Sequence, residues 1–248
     1  MRRGRAGTHT WPARVVAGLL AAFWALGWLG LFDLLVVFLQ DKAFDAVYLL
    51  QSGWGLLYLV LVAGPLAVLS LRPGRRVAID QVWVCAAVVL AGGVWGYDGC
   101  QLLTGLGLAV SAGLVEWLGR GPRPRWTGVD PVMAVLALLA LVAAVAYGDP
   151  LARNTTGTED VTNGVSNYTM QATVALAIAC VALLAAARRS RLPLWTAAFC
   201  AAWLGLESVV YPDLVGSLGV LGGCAAVAWA VVLGLSGERR LRRPATRH

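Results

Sequence analysis

Eight apolar runs, each close to the ~20 residues that carry a helix across the hydrocarbon core of a bilayer, divide this 248-residue chain. In lipid every backbone N–H and C=O must be satisfied within the protein, so runs of this kind fold as helices rather than as open sheet. They predict spans over 15–38, 54–71, 78–96, 100–118, 130–147, 169–187, 193–210 and 214–236. The fold class that follows is all-α, a polytopic integral membrane bundle of eight transmembrane helices. Composition agrees with it: 13% of residues are charged and 59% hydrophobic, whereas a soluble domain carries roughly 25% charge. The first run, Val15 to Leu39, is too long for a signal-peptide core and lacks a small-residue cleavage site, so it reads as the first span.

Charge sets the orientation. Basic residues cluster at the ends of alternate runs, and the net charge of +7 therefore forms no single nucleic-acid-binding patch. Of the 20 basic residues, only Lys42 and Arg153 fall on the opposite side. That side carries Asp41, Asp45, Asp98, Asp149, Glu159, Asp160 and Asp213 instead. The positive-inside rule then places both termini in the cytoplasm. The composition, rich in Ala, Leu, Val and Arg, is of bacterial type, which makes the cell inner (plasma) membrane the expected location. Asn154 and Asn167 head glycosylation-acceptor triplets, which a bacterial chain leaves unmodified.

The middle of the chain, Leu118-Gly-Arg-Gly-Pro-Arg-Pro-Arg-Trp126, holds three arginines and two prolines. Proline stops a helix from running through, so 120–126 reads as a cytoplasmic basic hinge. It separates a first four-helix half, 1–119, from a second, 127–248, that ends in a basic tail. Tyr97-Asp98 and Tyr211-Pro-Asp213 lie about half a chain length apart, as do the basic loops Arg72–Arg76 and Arg188–Arg191. With an even number of helices in each, the halves would form a parallel repeat.

Small residues recur every four positions: Gly105, Ala109 and Gly113 on the fourth span, and Gly222, Ala226, Ala230 and Gly234 on the eighth. Such stripes let helix backbones approach closely in lipid. They serve packing inside the bundle or, along the eighth span, contact with a second copy or a membrane partner. The arginines of the cytoplasmic side also meet anionic lipid. Pro65 should kink the second span unless neighbours satisfy the freed backbone.

The five cysteines form no CxxC pair, and the only histidines, His9 and His248, lie in the tails. No metal site and no cofactor is expected. GxSxG, HExxH and P-loop motifs are absent, which makes catalysis the least supported class. Most acids have local explanations. Asp130, Asp98 and Asp213 sit where they cap helices, Asp80 lies in a first turn, and Glu116 precedes Arg120 by four residues.

Asp33 and Glu207 remain, inside spans that hold no Lys or Arg. An ionisable residue at depth is a site hypothesis by default. Trp203, Glu207 and Tyr211 share one helical face and suit a proton or an organic cation. Asp33 would be a second acceptor if the first and seventh spans meet. An interfacial position for Glu207 is the plain alternative. Two function classes therefore stand open. One is a non-enzymatic scaffold or the membrane subunit of a larger assembly. The other is a proton-coupled transporter of a small solute or organic cation that uses Asp33 and Glu207.

Overall fold

The computed structural model describes residues 11–39, 48–119, 128–153 and 161–242. The chain is nearly all helical, at 85%, and among the described residues seven helices are long and apolar enough to cross a membrane. The central stretch 120–126, Lys42, Asn154, Glu159, Asp160, His9 and His248 lie outside the described residues.

The helices are α1 (Trp11–Ala22), α2 (Gly30–Leu39), α3 (Tyr48–Gly55), α4 (Gly64–Leu71), α5 (Arg76–Trp95), α6 (Gly99–Leu118), α7 (Pro131–Ala152), α8 (Asn167–Arg188), α9 (Arg191–Val210) and α10 (Gly219–Arg242). A π-helical stretch, Leu56–Ala63, joins α3 to α4, so the chain is continuous from Leu49 to Leu71. The seven long helices are this segment and α5 to α10.

The first expected span, 15–38, is interrupted. Helix α1 widens into a π-turn over Phe23–Gly27, and Leu29 takes a left-handed φ of 66° before α2 begins. A non-glycine residue in that conformation costs about 1–2 kcal/mol, and tertiary contact holds it there. The Trp28 carbonyl accepts from Trp54 Nε1 at 3.0 Å. Gly30, without a side chain, lies against the Tyr58–Leu59 backbone, and Trp24 stacks on Tyr58 at 5.5 Å.

Pro65 shows how the second span keeps its backbone satisfied. Proline has no N–H, so the carbonyl four residues back, on Leu61, loses its helical partner. That carbonyl lies in the π-helical stretch and accepts from Gln81 Nε2 at 3.1 Å and from the Cys85 thiol at 3.5 Å. The helix continues without a break, as neighbours supply the missing donor. Gln81→Leu is expected to cost about 1–3 kcal/mol, the penalty of an under-satisfied buried acceptor. Adding Pro65→Ala, which restores a backbone donor to Leu61, should recover part of that loss. Thermal unfolding of the single and double variants in detergent checks both statements. Equal stability of Gln81→Leu and wild type would defeat them.

Helix α8 is the central element. It packs against α7 and α9 on its own side and against α3 and α5 of the first half. The most deeply buried long helices are α8 and the Leu49–Leu71 segment, whereas α7 and α10 lie at the periphery. Every described arginine except Arg153 stands at one end of the bundle, where four ion pairs tie helices together. They are Arg76–Glu116 at 3.6 Å, Arg188–Asp80 at 3.0 Å, Arg240–Asp130 at 3.4 Å and Arg191–Glu238 at 2.7 Å. Asp80 thus has an arginine partner on α8. Glu116 reaches Arg76 and accepts from Trp83 Nε1, while Arg120 is outside the described residues.

At the other end Asp98 caps α6 through the Gln101 N–H and also accepts from the Ser166 N–H at 2.8 Å. Asp130, back at the arginine end, caps α7 through Val132 and Met133. Asp213 does not cap α10: it is exposed in the turn before that helix, and Ser217 Oγ accepts the Gly219 N–H instead. The stretch between α7 and α8 contains a short hairpin. Val161 pairs with Ser166 and Thr162 with Val165, and Asn163 and Gly164 turn it with φ of 51° and 80°, the type I′ geometry.

Candidate functional site

Glu207 points into the bundle. It is 6% exposed and stands three residues before the end of α9. Ser52 of α3 donates to Glu207 Oε1 at 2.6 Å. Trp203, one turn earlier on α9, donates to the same oxygen at 2.7 Å and to Ser52 Oγ at 3.0 Å. The three side chains thus close a small triangle. Helix α3 comes this near because Ser52 and Gly53 are small. Glu207 Oε2 is buried and has no hydrogen-bond partner.

The next residue along α3, Gly53, receives the side-chain amide of Gln171 from α8; a Cβ at Gly53 would collide with Gln171 Oε1. Gln171 is fully buried. Its Nε2 donates to the Tyr147 hydroxyl at 3.1 Å, and that hydroxyl donates to the Gly216 carbonyl in the α9–α10 turn. Gln171 Oε1 has no partner. Tyr147 comes from α7. Four helices therefore converge on one locus, three to five residues below the end of the bundle opposite the arginines. It holds two buried acceptor oxygens without a donor, two aromatic rings and, among the described residues, no basic side chain.

The chemistry of this locus is that of a cation or proton acceptor. Burying a polar oxygen without a partner costs roughly 1–3 kcal/mol, and a lone carboxylate costs far more. A proton on Glu207 or a cation beside it removes that penalty, and aromatic faces add cation–π attraction.

Asp33, also 6% exposed, is the fourth residue of α2, just past the helix break. Its Oδ2 is buried and unpartnered. Helix α2 packs on α3, where Gly55 lies 2.5 Å, measured from an added Cβ, from the Leu34 backbone N. Helix α9 contacts the same α3 from its own side. The two carboxyls flank one helix, and no hydrogen bond joins Asp33 to the Glu207 triangle.

No family model, curated protein or solved structure matches this chain.

Tyr211 follows α9 as its C-cap, half-buried, with its N–H on the Glu207 carbonyl at 2.8 Å. The tyrosine hydroxyl wired to Gln171 is that of Tyr147. The α6 stripe faces α5: Gly105 lies against Leu90 and Gly113 near Trp83, with Ala109 packed against the core. On α10, Ala230 is buried and Gly234 meets Trp195, whereas Gly222 and Ala226 line a cavity beside α7. Ser52, Tyr147 and Gln171 were not singled out in the sequence. Each is neutral and stands near a helix end, where polar residues are common, and their convergence is long-range. A hint was present in Ser52-Gly53, a small pair that admits side chains from neighbouring helices.

Proposed function

We propose that this chain is an eight-span protein of the cell inner (plasma) membrane, with both termini cytoplasmic, that works as a proton-coupled transporter of a small solute or organic cation. Glu207 is its central proton acceptor, Trp203 and Tyr147 its aromatic walls, and Asp33 a second carboxyl on the far side of α3. The interrupted segment Trp11–Leu39 serves as the first span, and discontinuous helices of this kind recur at transporter binding sites. The gathering of described arginines at one end of the bundle supports the orientation. The burial order, deepest in the second span of each half and shallow in the last, supports a parallel repeat of 1–119 and 127–248.

The observation that carries the reading is the pair of buried, unpartnered oxygens, Glu207 Oε2 and Gln171 Oε1, in a site without a basic residue among the described residues. A scaffold or membrane-subunit role has no need for such a site, and the inward face of Glu207 weighs against it.

Tryptophan fluorescence across about pH 5 to about pH 9 tests the reading. Trp203 donates directly to Glu207 Oε1, so its emission should follow the charge on that carboxyl. Wild type is expected to show a transition that is absent in Glu207→Gln and present in Asp33→Asn. Superimposable curves for wild type and Glu207→Gln would end the proton-acceptor assignment.

A further inference from the structure

A cavity of about 390 Å³ lies between the two peripheral helices α7 and α10, floored by α8 and α9. Ligand sites span roughly 300–1,000 Å³, so it is large enough for an organic body. Its walls are small and apolar, including Ala140, Ala143, Ala175, Ala201 and Ala226. Its exposed lining residues, Leu139 and Ala143 of α7 and Ala225 of α10, place its opening on the outer flank of the bundle. Those two helices touch sparsely. Three bonds join them: Tyr147 hydroxyl to the Gly216 carbonyl before α10, Trp229 Nε1 to the Leu136 carbonyl at 2.9 Å, and Arg240 to Asp130 at 3.4 Å.

One end of this cavity reaches Tyr147, next to the carboxyl site, while Gln171 and Glu207 themselves do not line it. The ring of Tyr147 lines the cavity while its hydroxyl belongs to the Gln171 network. On α8, Gln171 stands one turn before Ala175, and residues four apart share a helical face. On α9, Leu204 of the cavity wall stands three residues before Glu207. An apolar chamber therefore lies about one helical turn from two buried acceptor oxygens that lack donors. A neutral acyl chain would fill the chamber and leave those oxygens unanswered. A hydrophilic cation would answer the oxygens and leave the chamber empty.

We infer that the ligand of this site is a lipophilic organic cation, with its apolar body in the α7–α10 cavity and its charge toward Glu207 and Gln171. The inference rests on the Glu207 reading above and adds the ligand class and a lateral route of access through the bilayer. The open flank lets such a molecule leave the lipid phase without crossing the ion-paired end.

Binding of tetraphenylphosphonium to the purified full-length protein, with neutral triphenylphosphine oxide as the second probe, tests it. Ala140→Phe and Ala226→Phe fill the cavity from opposite walls, so misfolding of one, checked by thermal unfolding, leaves the other informative. Wild type is expected to bind the cation. Each Phe variant and Glu207→Gln should weaken that binding about tenfold or more, and the neutral probe should bind at least as weakly as the cation binds Glu207→Gln. If Glu207→Gln weakens binding and neither Phe variant does, the cavity holds no part of the ligand and the inference fails while the carboxyl reading stands. If both probes bind, the Phe variants weaken both and Glu207→Gln weakens neither, the cavity is a lipid-chain site and the inference fails. Absence of cation binding to wild type, with the Glu207-dependent fluorescence transition intact, overturns the ligand class alone.

Discussion

Alanine at Gly223 is expected to destabilise the bundle by about 1–3 kcal/mol, measured as a lower midpoint of unfolding in detergent. The reason is a backbone crossing. A Cβ at Gly223 would sit 2.5 Å from the Gly205 carbonyl oxygen and 2.8 Å from Val209 Cγ2. The reciprocal Cβ at Gly205 would sit 2.7 Å from the Gly223 carbonyl oxygen. Neither obstacle is the tip of a flexible side chain, so α9 and α10 must separate to admit the methyl group. In lipid their association depends on close van der Waals contact rather than on a hydrophobic force, and separation forfeits that contact along the pair. The sign of the effect is diagnostic. Within an uncrowded helix interior, glycine to alanine stabilises by about 1 kcal/mol, and Gly99→Ala, at the first position of α6 with open space around its Cβ position, is the control expected not to destabilise. The double variant Gly205→Ala/Gly223→Ala should lose less than the two single losses combined, because the first substitution has already moved the helices apart. A stabilised Gly223→Ala, or strict additivity, would mean that the crossing is not a close contact.

That same helix shows what the sequence could and could not reveal. A stripe of small residues on α10 is visible at a spacing of four, starting from Gly222. The buried small residues are Gly223, Ala230, Gly234 and Gly237, so the stripe keeps Ala230 and Gly234 but the close crossing is at Gly223 and not at its neighbour Gly222. Composition cannot choose between two adjacent glycines, and only the crossing partner on α9 selects between them. The long helices themselves are legible because each is an uninterrupted apolar run, and most boundaries fall within two residues of the hydropathy pattern. The exceptions have tertiary causes. Helix α7 runs on to Ala152 through Pro150, and α10 starts at Gly219 because Tyr211–Gly216 forms a structured turn beneath Tyr147. The break at Trp28–Leu29 follows from contact with Trp54 and Tyr58, more than twenty residues away. Only the Gly27 and Gly30 pair marks it in the sequence. The Asn163-Gly164 dipeptide, by contrast, was a readable hairpin signal. Glu207 stood out because it is charged within an apolar run, while its neutral partners carried no such contrast.

Cation binding at Glu207 should release about one proton per cation bound, read as acidification of a weakly buffered solution when tetraphenylphosphonium is added to the protein. The site cannot hold both. Oε1 already accepts from Ser52 and Trp203, and only Oε2 is open. An unoccupied carboxylate there is costly, so on the proposed reading the resting site carries the proton and an arriving cation displaces it. Linkage then makes affinity rise with pH, by up to about tenfold per unit while the carboxyl is protonated. Glu207→Gln should release no proton and bind the cation with little pH dependence. Its fold should survive, because the amide oxygen still accepts from Ser52 and Trp203. Glu207→Leu should lose both binding and stability. Trp203 can still donate to Ser52 Oγ at 3.0 Å, but the Ser52 hydroxyl loses its acceptor, a cost of about 1–3 kcal/mol. Proton release that persists in Glu207→Gln would move the exchanging group elsewhere, with Asp33 as the next carboxyl to substitute. Binding without proton release in wild type would mean that cation and proton do not compete, and coupled exchange at Glu207 would fall with it.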